Sequence, residues 1–346
     1  MRPPLLTATL LGRSCKSARF QTVSVRCMSQ VMTSSTGLEF LRTPDERFAS
    51  LIDWPFEPRY VTISDGLRVH YVDEGAGPTV LLLHGEPTWG YLYRKMIPGL
   101  LRSGCRVIAP DLVGFGRSDK PTLRDDYTYG RHLRWLTETI DAIERTSPLG
   151  TVTMFCQDWG GLIGLSHIAR HPETYRGVVA SNTGVPLGRD VRMNDDDVFA
   201  VWRQFSQDVT PFLASVCVGG DSSPLNAIGF ELSDEEQKAY DAPFPDESYA
   251  AGARQFPLLV PTSGVHPSAP ICWTTWSLLS RCEVPLTTAF GSDDKVTRPL
   301  QGLMSSSVPG AADQPHVVIE NAGHFIQEHE PEQCVDAILS LLKRTS

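Results

Sequence analysis

Short apolar runs alternating with helical stretches constrain this chain more than any other feature. Thr79 to Leu83, Cys105 to Ala109, Thr151 to Cys156 and Arg176 to Ala180 each read as a buried strand. Tyr91 to Arg102, Tyr129 to Arg145 and Trp159 to Arg170 lie between them with helical patterning. Buried strands separated by helices predict a mostly parallel, doubly wound sheet covered on both faces. Ahead of it, Arg59 to Ser64 and Leu67 to Asp73 predict an antiparallel hairpin turning at Asp65-Gly66. The alternation stops from about Pro186 to Glu283, where helical pieces are expected near Val198 to Gln207 and Ser233 to Tyr240. It resumes at Val284 to Phe290 and His316 to Ile319, and ends in a helix from Pro331 to Leu342. The organisation expected is a leader over residues 1–38, a core over 39–185 and 284–346, and a helical cap over 186–283. A cap inserted that late lies over the carboxyl edge of the sheet, where such sheets bind ligands.

Charge separates the leader from the rest. The chain carries 31 basic and 40 acidic residues, a formal charge of −9. The first 38 residues contain no acid, yet they hold Arg2, Arg13, Lys16, Arg19 and Arg26. That composition suits a mitochondrial transit peptide; the plainer reading is a disordered tail on a cytoplasmic protein. Without those five cations the remainder is more acidic still, which disfavours nucleic acid as a partner. No apolar run is long enough for membrane insertion. The eight cysteines form no C-x-x-C pair, so neither a zinc site nor a secreted disulfide framework is expected.

Chemistry concentrates at three loops. Cys156-Gln157-Asp158-Trp159-Gly160-Gly161 sits between a strand and a helix. Its small residues fall where the strained strand–turn–helix elbow of G-x-S-x-G hydrolases needs them, with Asp158 at the centre instead of serine. Alternatively, Asp158 merely caps the helix. His84-Gly85-Glu86-Pro87 follows the first parallel strand, where this fold supplies one backbone N–H of an oxyanion hole. Glu86 and Trp159 are thus the expected backbone donors. Asn321-Ala322-Gly323-His324-Phe325 follows the last strand, and His324 comes last in the order nucleophile, acid, histidine. For the acid, Asp293 and Asp294 are both available after the penultimate strand; the preceding loop offers Asn182 instead.

From about Phe56 to Leu342 the sequence resembles haloalkane dehalogenases, in the branch with a two-tryptophan halide site. The resemblance is carried by His84-Gly85-Glu86-Pro87-Thr88-Trp89, by Asp111-Leu112-Val113-Gly114-Phe115-Gly116-Arg117-Ser118-Asp119 and by Gln157-Asp158-Trp159-Gly160-Gly161. Ala322-Gly323-His324-Phe325 and the cap stretch Ala239-Tyr240-Asp241-Ala242-Pro243-Phe244-Pro245-Asp246 extend it. It implies an α/β-hydrolase fold with an inserted helical cap. It also implies Asp158 as nucleophile, His324 as base, Asp294 as its partner, and Trp159 with Trp202 as halide donors. Trp202 as an ordinary apolar anchor is the competing reading.

The resemblance further implies displacement of halide from a small halogenated aliphatic substrate by Asp158, giving a covalent alkyl-enzyme ester. Water activated by His324 then hydrolyses it to alcohol, halide and a proton, with no metal or organic cofactor. Nothing in the sequence demands more than a monomer. An epoxide hydrolase would use the same Asp–His–Asp set with cap tyrosines, for which Tyr240 and Tyr249 are the candidates. A non-catalytic binding protein of this fold should lose part of the triad, and this chain retains every member.

Overall fold

The computed structural model describes residues 30–187, 197–225 and 230–345. Most of the expected leader, residues 1–29, and parts of the expected cap, residues 188–196 and 226–229, lie outside the described residues. The larger compact unit runs from Val31, so its first residues lie within the stretch expected as leader. Met32–Thr33 pairs with Glu39–Leu41, and that strand pairs with Lys120–Pro121, so Leu38 and Phe40 are buried against the core.

Eight strands form the main sheet: β1 (Arg59–Thr62), β2 (Arg68–Gly75), β3 (Thr79–Leu83), β4 (Arg106–Pro110), β5 (Val152–Gln157), β6 (Tyr175–Ser181), β7 (Leu286–Gly291) and β8 (Val317–Ile319). Their spatial order is β8-β7-β6-β5-β3-β4-β2-β1. The expected hairpin is β1 with β2, antiparallel, and β2 runs antiparallel to β4. From β4 through β3, β5, β6 and β7 to β8, every pairing is parallel. All residues of β3, β5 and β7 are buried. Central parallel strands have helices on both faces, so they read as unbroken apolar runs rather than alternating ones.

The core helices are α1 (Ile97–Arg102), α2 (Tyr129–Thr146) and α3 (Trp159–Ile168). Thr128 caps α2 by accepting from the Arg131 N–H, and its buried Tyr129, His132, Leu136, Thr139 and Ile143 recur every three or four positions. α3 is buried on every side, which its all-round apolar sequence requires. The expected helix from Tyr91 to Arg102 is instead a 3-10 turn (Gly90–Tyr93) followed by the shorter α1. Pro98 has no N–H to give to the carbonyl of Arg94, so it belongs in a first turn and not in a helix interior.

Between β6 and β7 come α4 (Val198–Asp208), α5 (Ala214–Gly219), α6 (Asp234–Asp241), α7 (Ala251–Leu259) and α8 (Ala269–Leu279). Ser233 and Glu236 form a capping box on α6. Buried polar contacts hold this insertion to the core: the Trp89 indole donates to the Ala239 carbonyl at 3.0 Å, and Thr43 donates to the Pro243 carbonyl at 2.8 Å. After β7 follow α9 (Leu300–Ser307), α10 (Ile326–His329) and α11 (Pro331–Arg344).

Candidate active site

Asp158 sits at the turn from β5 into α3 with φ 50° and ψ −126°, a left-handed backbone that costs a β-carbon-bearing residue energy. Neighbouring groups hold it there. The Asp158 N–H donates to the Asn182 carbonyl at 3.2 Å, and Thr183 Oγ1–H donates to the Asp158 carbonyl at 2.6 Å. The elbow needs glycine because the chains come close. A Cβ at Gly160 would lie 2.1 Å from the Leu83 carbonyl oxygen, and one at Gly85 would lie 2.3 Å from Asp158 Oδ1. Asp158 occupies the cap position of α3, but its side chain makes no capping hydrogen bond. Its carboxylate turns away: Oδ1 accepts the Glu86 backbone N–H at 2.8 Å, and Oδ2 lies 3.5 Å from His324 Nε2. The capping alternative therefore does not describe this residue.

His324 comes from the loop after β8 and is buried. Its Nδ1 lies 3.2 Å from Asp294 Oδ1, in the loop after β7. Asp294 is fixed in turn by the Val296 N–H at 3.0 Å and by the Thr297 hydroxyl. Asp293 accepts instead from Ser292 Oγ–H at 2.6 Å, so Asp294 is the aspartate brought to His324. Burial opposes the charge of Asp294, but His324 and these hydrogen bonds hold its carboxyl below the usual range. Burial likewise opposes protonation of His324, but Asp294 and Asp158 outweigh it and raise the imidazole to about 10. The backbone N–H of Trp159 opens α3 and has no acceptor among the described residues, as befits a first-turn amide. It does not hold Asp158 as the Glu86 N–H does.

Above the triad is a cavity of ≈ 570 Å³ with a predominantly apolar wall. The core contributes Glu86, Asp158, Trp159, Leu162 and His324; the insertion contributes Val198, Phe199, Trp202 and Pro257. Trp159 packs edge-on against Tyr129 and Phe256, with centroids at 5.3 and 4.7 Å. The indoles of Trp89, Trp135, Trp273 and Trp276 all donate to protein acceptors. Those of Trp54, Trp159 and Trp202 have none among the described residues; Trp54 packs against Phe56 and Trp89 and does not line the cavity, whereas Trp159 and Trp202 do. Among those residues no group of three His, Cys, Asp or Glu side chains could hold a metal ion, and no helix is long and apolar enough to cross a membrane.

The family model of the alpha/beta hydrolase fold matches residues 78–331. A haloalkane dehalogenase of Psychrobacter cryohalolentis is 46% identical over 315 residues, covering 88% of this chain and 98% of that protein. Another, of Mycolicibacterium paratuberculosis, is 43% identical over 309 residues, with coverages of 88% and 98%. The chain belongs to the haloalkane dehalogenase family. Among solved structures, the tetrameric haloalkane dehalogenase DpaA from Paraglaciecola agarilytica matches with TM-score 0.75 and 32% identity, over 88% of this chain and 98% of that one.

Membership of the haloalkane dehalogenase family disfavours epoxide hydrolysis, and so does the placement of the cap tyrosines. Tyr240 is fully buried with its hydroxyl donating to Glu328, and neither Tyr240 nor Tyr249 lines the cavity. Two residues near the dehalogenase triad carried no role in the sequence. Gln157 Nε2 donates to the His324 carbonyl at 3.2 Å and lies 3.1 Å from His324 Nε2. Asn182 donates to the carbonyls of Gly323 and His324, both at 2.8 Å, and its Oδ1 accepts the Gly291 N–H at 2.9 Å. It ties the ends of β6 and β7 to the histidine loop. Its place after β6 was the available signal.

Proposed function

We propose that the protein hydrolyses carbon–halogen bonds of small halogenated aliphatic substrates to alcohol, halide and a proton. One observation carries this reading: an Asp158 carboxylate in an apolar cavity whose wall holds two tryptophans with unused indole N–H groups. A departing halide gains charge and needs donors that neither protonate it nor bind it too tightly, a demand that neutral indoles meet.

Asp158 Oδ2 attacks the halogen-bearing carbon; the carbon–oxygen bond forms as the carbon–halogen pair leaves with the halide. Oδ1 stays on the Glu86 N–H, with the Trp159 N–H able to join it. The ester carries no charge, so His324 loses the Asp158 contribution to its raised pKa and releases its proton to solvent. Neutral His324 then takes a proton from water as the oxygen attacks Cγ of Asp158. It returns that proton to the departing alkoxide, and the Asp158 carboxylic acid left behind gives its remaining proton to His324, which regenerates the carboxylate and the charged imidazole of the free enzyme. All these groups come from one chain, so the reading needs no second copy. The basic leader fits delivery to the mitochondrion, with the protein otherwise cytoplasmic.

Purified protein mixed with 1-bromobutane should release bromide and one proton per alcohol formed, followed by halide colorimetry and a pH indicator. Opening of styrene oxide without bromide release would overturn the proposal. For the halide site, Trp159→Phe and Trp202→Phe should each weaken quenching of tryptophan fluorescence by bromide, and slow turnover by about 10²-fold. Trp276→Phe should leave bromide binding intact, because that indole is already engaged by the Val185 carbonyl at 2.8 Å.

A further inference from the structure

Glu86 is a buried ionisable residue of the cavity whose side chain the reaction above leaves without a task. Its backbone N–H holds Asp158 Oδ1, so its side chain starts beside the reacting carboxyl. The residue is 2% exposed; Oε1 is closed off without a partner, and neither oxygen receives a hydrogen bond from a described residue. The ionisable groups facing it are Asp158 and His324 from the core, and Arg254 and Cys217 from the insertion. Arg254 is committed elsewhere, donating to Glu247 at 2.9 and 3.0 Å and to the carbonyls of Ser206 and Val209. Among the described residues no cation pairs with the Glu86 carboxyl; the exposed Lys295 shares the cavity wall from the loop after β7, but makes no ion pair with it. Burial, reinforced by the Asp158 charge, pushes the Glu86 carboxyl well above its ordinary range.

We propose that Glu86 works as a neutral carboxylic acid that positions the water hydrolysing the Asp158 ester. This assignment rests on the reading of Asp158 and His324 given above. A water held for attack gives one proton to His324 Nε2 and needs an acceptor for the other. A dry cavity wall offers few such groups, and a site that orders water needs several polar partners. The carbonyl oxygen of a protonated Glu86 accepts that second hydrogen, and its hydroxyl remains a donor. An ionised Glu86 would instead repel the oxyanion forming on Asp158 Oδ1, which the same residue's N–H stabilises. Halide binding does not require Glu86, because Trp159 and Trp202 supply unused donors.

The test separates the two half-reactions by rapid quench and intact-protein mass spectrometry with 1-bromobutane. Glu86→Leu should alkylate normally but hydrolyse the ester about a hundredfold more slowly, the scale of a misplaced reactant, so the butylated protein accumulates. Glu86→Gln keeps a neutral donor and acceptor, and should hydrolyse at least about tenfold faster than Glu86→Leu. Its rate should follow the wild-type pH profile. If Glu86→Leu does not fold, the profile of Glu86→Gln decides alone: a matching profile supports a neutral acid. Loss of hydrolysis in Glu86→Gln overturns the assignment, because an ionised carboxylate would then be needed. A defect confined to alkylation or halide release overturns it equally. Absence of any ester on a His324→Phe background would instead refute the Asp158–His324 reading, so the two failures are distinguishable.

Discussion

His324→Phe is expected to give a protein that displaces halide once and then stops. After incubation with 1-bromobutane, one butyl group should be found by mass spectrometry on the peptide containing Asp158, with bromide released in equal amount. Displacement uses the Asp158 carboxylate, which the Glu86 N–H still holds. Hydrolysis needs the base, and loss of a general base costs about 10²–10⁴-fold. Phenylalanine fills the buried ring site, so the change is chiefly chemical. An unmodified mass would count against the mechanism.

The same residue sets a pH signature. His324 is raised to about 10 while Asp158 is free, and falls once the ester removes that charge. Ester hydrolysis in the wild-type protein should therefore rise with pH through the lower, ester-state value, and His324→Phe should lose that limb. The folded-state pKa of the free enzyme lies above the unfolded value of about 6.5. Its stabilising contribution is therefore complete below that value and lost as pH rises towards about 10. Asp294 has the opposite sign: its lowered pKa contributes stability above the unfolded carboxylate range, lost as pH falls. His324→Phe removes the partner of Asp294, so the variant should also be less stable at neutral pH.

What the sequence made legible was whatever short segments encode locally. Asp158, Trp159, Glu86 and His324 each lie at a strand end with diagnostic neighbours, and the chain order orients them. Asp294 over Asp293 rested on resemblance, since nothing local distinguishes adjacent aspartates; the Thr297 hydroxyl and Val296 N–H make the difference. Trp202 also rested on resemblance. In α4 it has the spacing of any apolar anchor, and the missing indole partner shows itself in three dimensions alone. Gln157 and Asn182 act on His324 across 167 and 142 positions, a separation no window of sequence spans. The helices α7 and α8 escaped because Pro257 lies inside the first and Pro270 in the first turn of the second, where proline usually signals a break. The pairing of Met32–Thr33 lies inside the acid-free stretch and is too short to register as a strand in a window of sequence.

Asp158→Ala and Asp158→Gly should both abolish halide release and adduct formation, on the order of a millionfold, the scale of removing a covalent nucleophile. Their stabilities should differ. Both lose the carboxylate, leave the Glu86 N–H without its acceptor and leave His324 with Asp294 as its sole carboxylate partner, so those terms cancel. Alanine keeps a β-carbon at φ 50°, a conformation costing about 1–3 kcal/mol. Glycine removes that cost and loses roughly 0.5–1 kcal/mol through the greater freedom of its unfolded chain. The balance favours Asp158→Gly by about 1 kcal/mol, visible as a higher urea midpoint at unchanged slope. An Asp158→Ala protein more stable than Asp158→Gly by roughly 0.5–1 kcal/mol would mean that the elbow stores no strain. The position of the nucleophile would then be held by the Asn182 and Thr183 hydrogen bonds and by the close approaches at Gly85 and Gly160, with no strain stored at residue 158 itself.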